Sequence, residues 1–121
     1  MTRELSIHES YDWLRSTLEH LASIPRLSED DFAYTVFEVL DVDARSALSE
    51  SALDRLVSSD AISDSARSEV RGLRSAFRAL VDAAQAAQSP PVAEIRRDDR
   101  WLDVARSSER ILLEYVHKDA A

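Results

Sequence analysis

The chain has 121 residues, no cysteine, one glycine, three prolines and a formal net charge of −8. Without cysteine there are no disulfides and no thiolate metal sites, and a single glycine leaves neither hairpin chemistry nor a phosphate-cradling loop. A chain of this length buries roughly two-thirds of its unfolded surface on folding, enough for one core. The amino terminus has no apolar run behind a basic start, and no stretch approaches the ~20 apolar residues of a membrane span, so the expectation is a cytoplasmic, all-α, single-domain protein.

Ser6-Ile7-His8-Glu9 has the form of a capping box and opens a predicted helix over 7–23. Ile7, Tyr11, Leu14, Leu18 and Leu21 keep its apolar rhythm until Ile24-Pro25 breaks it. Ser28, followed by Glu29, Asp30 and Asp31, starts a second helix over 29–40, with the acids facing its positive end and Leu27 able to staple onto Phe32. Phe32, Val36, Phe37, Val39 and Leu40 cover a wide apolar face there. From Asp41 to Ile62 serine and alanine interrupt the pattern, and two short helices, 43–48 and 50–58, fit best, the second capped by Ser49.

The longest pattern runs over 64–88, capped by Ser63. Ala66, Val70, Leu73, Phe77, Leu80, Val81 and Ala84 form one stripe, and Arg67, Arg71, Arg74 and Arg78 a narrower one beside it. This helix reads as the central post of the fold. Gly72 in its interior costs about 1 kcal/mol against alanine, which suggests a close helix crossing. After Ser89-Pro90-Pro91, a last helix is predicted over 98–118, capped by Asp98 and lined by Trp101, Ala105, Ser108, Leu112 and Tyr115, with residues 92–97 as a preceding turn of helix. The architecture expected is a bundle of four main helices with one or two short ones between the second and third.

Chemistry finds few footholds in this pattern. Glu114-x-x-His117 is one Glu-x-x-His, where a di-iron bundle needs two plus two further glutamates. His8 and His20 stand about 120° apart on a helical wheel. The pairs Glu9-x-x-Asp12 and Glu38-x-x-Asp41 have the spacing of the acidic motifs of all-helical, magnesium-dependent nucleotide pyrophosphohydrolases, but His8 stands where that family has another acid. An acid alternation from Asp41 and Asp43 lacks the glycine and the final acid of a calcium loop. The expectation is therefore a protein without catalysis, cofactor or metal.

Charge is segregated along the chain. Residues 27–66 hold ten acidic and two basic groups, net −8, whereas 67–121 hold ten basic and nine acidic. Such a segment repels nucleic acid and anionic lipid and speeds encounter with a basic protein. The chain looks like the general type of immunity proteins and antitoxins that neutralise nucleases, and of phage inhibitors that imitate DNA. On that reading Asp41, Asp43, Glu50, Asp54, Asp60 and Asp64 face the partner, with Glu29, Asp30 and Asp31 contributing. The rival readings are a structural or adaptor module pairing with a second copy through an apolar helix face and, as the enzymatic alternative, a magnesium-dependent hydrolase resembling the nucleotide pyrophosphohydrolases, with Glu38 among its acids. The arginine stripe is expected to pair internally with carboxylates from 38–60, which would neutralise part of the acidic surplus.

Overall fold

The computed structural model describes residues 6–86 and 92–116, and among these every regular element is helical. Helix α1 (Ile7–Ser23) begins on the expected box: the Ser6 hydroxyl accepts from the Glu9 amide, and the Glu9 carboxylate accepts from the Ser6 amide. Leu14, Leu18 and Leu21 are buried on one side of it. Pro25 then turns the chain through a short 3-10 segment, Ile24–Arg26.

The next stretch differs from expectation. Instead of a helix over 29–40 and another over 43–48, the chain runs as one rod through α2 (Glu29–Tyr34), a π-helical stretch Thr35–Leu40 and α3 (Asp41–Ser46). Each junction residue keeps right-handed helical angles. The cause lies in the spacing of the buried side chains. Phe32, Val36, Leu40 and Ala44 recur at every fourth position. At 3.6 residues per turn each four-residue step overshoots by about 40°, so in an α-helix these four would spiral through about 120°. Bonding from i to i+5 puts more residues in a turn. The π stretch thereby holds all four on one line against the core, and the exposed residues Asp30, Tyr34, Glu38 and Val42, at the same spacing, fall into line on the outside.

Helix α4 (Glu50–Ser58) starts at Ser49, whose hydroxyl accepts from the Ala52 amide. It stops in a Schellman motif: the Asp60 amide donates to the Val57 carbonyl at 3.0 Å and the Ala61 amide to the Leu56 carbonyl at 2.9 Å. The left-handed residue this motif needs is Asp60, with φ 60°, where glycine is usual. Helix α5 (Asp64–Ala86) follows, capped by Ser63 through the Ala66 amide. Its one glycine, Gly72, marks no helix crossing: a Cβ built there meets nothing within 4 Å. Glycine thus sits where the backbone does not need it and is missing where it does. Gly72→Ala and Asp60→Gly are each expected to raise stability by roughly 0.5–1 kcal/mol, measured as urea midpoints at constant slope.

Helix α6 (Val92–Arg96) lies against α2, and the Arg96 guanidinium donates to the Leu27 carbonyl. Helix α7 (Arg100–Glu114) takes the place expected of α5, because it packs along both α1 and α5. Trp101, Val104, Ala105, Ser108 and Ile111 form its buried face. Trp101 meets Phe32 of α2 edge-on at 5.3 Å and Phe77 of α5 at 6.1 Å, so one indole joins three elements. Across the α1–α7 seam the buried Ser108 hydroxyl donates to the Leu18 carbonyl at 2.6 Å. Asp98 precedes the first residue of the helix by two, and its carboxylate accepts the Arg100 amide at 3.0 Å and grips the Arg100 guanidinium as well. No helix among the described residues is long and apolar enough to cross a membrane.

Candidate partner-binding surface

The geometry of the arginine row decides what the acidic segment can do. Helix spacing carries Arg67, Arg71, Arg74 and Arg78 along the side of α5 that faces α4 and α3. Arg67 pairs with Asp54 at 2.9 Å and Asp64 at 2.8 Å. Arg71 donates from Nε and a terminal nitrogen to both oxygens of Glu50, each at 2.7 Å, a bidentate fork. Arg74 reaches Glu50 at 3.2 Å and the Leu48 carbonyl at 3.0 Å. Arg78 pairs with Asp41 at 2.6 Å and with Asp82 at 3.2 Å. The row is a clasp that ties α5 to the two shorter helices.

These pairs leave their mark on the ionisation of Glu50. Its carboxyl is held below the ordinary glutamate range, chiefly by the hydrogen bond from Arg71, against desolvation and with help from the charges of Arg71, Arg74 and Arg67. Arg71 is raised in return. A depressed carboxyl contributes stability that is complete above its unfolded value, about 4.3, and is lost as pH falls through the lower folded value. The melting temperature of the wild type is therefore expected to exceed that of Glu50→Gln at neutral pH, with the gap closing on acidification below about pH 4. A gap independent of pH would mean that the charge of Glu50 contributes nothing to it.

The residues singled out from sequence thus separate into three groups, because the internal pairing expected of the arginine row takes up part of the acidic surplus. Asp41, Glu50, Asp54 and Asp64 are matched by guanidinium groups of the same chain. Asp43 accepts the Trp13 indole N–H at 3.2 Å, and Asp60 serves the stop of α4. Glu29, Asp30 and Asp31 form the third group: exposed at the start of α2, with the Asp31 amide donating to Ser28, they make no ion pair among the described residues. Glu38, one or two turns further along the same rod, is exposed and likewise unpaired among them.

Sequence reasoning missed the apolar part of that rod. Among the described residues the large hydrophobic side chains left in water are Tyr34, 65% exposed, Val42, 58%, Leu102 and Leu113. Tyr34 and Val42 share the outer line of the rod with Asp30 and Glu38. The signal was present as the every-fourth-residue spacing, but its meaning depends on the π stretch.

Elsewhere the chemistry is sparse. Of the two acidic pairs, Glu9 belongs to the cap of α1, Asp12 lies between His8 at 3.2 Å and Arg15 at 3.8 Å, and Asp41 is clasped by Arg78. Among the described residues no group of three or more histidine, aspartate or glutamate side chains could hold a metal ion. His117 of the Glu-x-x-His pattern lies outside the described residues. An open groove of about 360 Å³ runs between α5 and α7, floored by Leu73, Leu80 and Val104 and walled by Gly72, Ala76 and Ala79. At its edges the charges are largely matched, Arg110 with Glu69 at 2.6 Å and Arg100 with Asp98 at 2.6 Å.

No family model, no curated protein and no solved structure matches the chain. The functional reading therefore rests on this chain's own geometry.

Proposed function

We propose that the chain is a single helical bundle domain that acts without catalysis, docking an acidic flank onto a basic partner protein and blocking it, as immunity proteins and antitoxins do. The observation that carries this reading is where unmatched charge remains. The arginine row pairs with the carboxylates of α4 and of the α5 start, while Glu29, Asp30, Asp31 and Glu38, exposed together on one rod, make no ion pair among the described residues. Long-range attraction from such a patch accelerates encounter and selects partners by sign, and it is screened by salt.

The test is affinity capture from native lysate at low and at physiological ionic strength, followed by binding measurements on the recovered partner. A basic partner should bind at low salt, weaken steeply toward about 0.15 M, and be lost with Asp30→Lys/Asp31→Lys. Equal weakening by Asp54→Lys would point instead to the clasped face. A second reading, an adaptor that pairs with another copy of itself, is favoured by the small-walled groove between α5 and α7. It requires self-association that salt leaves unchanged.

A further inference from the structure

We infer that the outer line of the α2–α3 rod is the docking surface itself, with Tyr34 as its anchor and a basic amphipathic helix as the element of the partner that it fits. The inference rests on the proposed acidic docking role and specifies its surface. Tyr34 and Val42 stand eight residues apart, about two turns along the rod. A helix laid alongside presents apolar side chains at i and i+7 or i+8 over that same span. Asp30 lies one turn before Tyr34, Asp31 beside it, and Glu38 between the two apolar groups. Apolar positions two turns apart, bracketed by carboxylates unpaired among the described residues, are the complement of an apolar seam flanked by lysine or arginine.

Two physical features favour Tyr34 as the anchor. Tyrosine brings a large contact area with few rotatable bonds, so little side-chain entropy is lost when it is covered. It also projects from a rod pinned to the core by Phe32, Val36 and Leu40, which makes the surface pre-organised. At the far end of the line the sign changes, where Arg45 is held by Asp41 at 3.5 Å. The α5–α7 groove offers no comparable argument, since its edge charges are largely matched within the chain and nothing there identifies an occupant.

The test is a nuclear magnetic resonance titration of the whole, isotope-labelled chain with three synthetic peptides. One is a helix-forming peptide with a leucine seam flanked by lysine, the second carries glutamate in place of each lysine, and the third is oligolysine. The expected result is perturbation of residues 29–46 by the first peptide alone, roughly thirtyfold weaker binding in Tyr34→Ala, and little change in Tyr34→Phe. Asp30→Lys/Glu38→Lys should reverse the preference toward the acidic peptide. Perturbation confined to the α5–α7 groove, equal binding of oligolysine with Tyr34→Ala silent, or concentration-dependent shifts at Tyr34 without peptide would each overturn the inference and leave the docking role standing. Absence of binding by either basic peptide anywhere on the chain would overturn both.

Discussion

Deleting Ser75 from α5 is expected to abolish the fold, whereas deleting Glu38 from the π stretch is expected to leave it standing. Both residues are exposed, so the difference is one of helical register. Removing Ser75 from a regular α-helix rotates everything beyond it by about 100°. Arg78 would then occupy the buried place of Phe77, and Asp82 that of Val81. Several kcal/mol of desolvation per unpaired ion, set against a total stability of roughly 5–15 kcal/mol, leaves no folded state.

Removing Glu38 works the other way. The buried residues Phe32, Val36, Leu40 and Ala44 would change from four-four-four spacing to four-three-four, the ordinary rhythm of an α-helical face. The π stretch would become α, and the same four side chains would still meet the core. Thermal denaturation followed by circular dichroism should show a cooperative transition for the Glu38 deletion and none for the Ser75 deletion. Loss of the transition in both would refute the argument that one extra residue is what the π stretch accommodates.

Phe77→Ala is expected to be the most damaging single substitution short of such a register change. The ring is fully buried and meets Trp101 edge-on, so truncation removes its transfer energy, leaves a cavity and forfeits an aromatic contact. A loss of roughly 3–5 kcal/mol follows, which for a chain of this size lowers the melting temperature by roughly 10–20 °C. Tyr34→Ala, an aromatic truncation on the opposite kind of surface, should move it by no more than a degree or two. Comparable losses in the two variants would place Tyr34 in the core and remove the basis for its role as an anchor.

Local signals were the legible ones. Ser6, Ser28, Ser49 and Ser63 each cap the helix they were assigned, because a cap involves a side chain and an amide three residues on. The starts of α1 and α4 were readable for the same reason. The apolar stripe of α5 and its arginine row were likewise visible as periodicity. Asp98 was read as a cap and does bind the Arg100 amide, although the helix itself begins two residues later.

Amino-acid order alone settled the all-α class, the starts of α1, α2, α4 and α5 and the existence of separate acidic and arginine stretches, since each depends on residues within a few positions of one another. Tertiary packing decided the rest. Whether a carboxylate is matched depends on which helix lies opposite: Glu50 meets Arg71 across 21 positions and Asp41 meets Arg78 across 37, while Asp30 and Glu38, of the same residue types, meet no cation among the described residues. The π stretch and the central place of α7 were equally hidden, because both follow from how one apolar face must meet another that is distant in sequence.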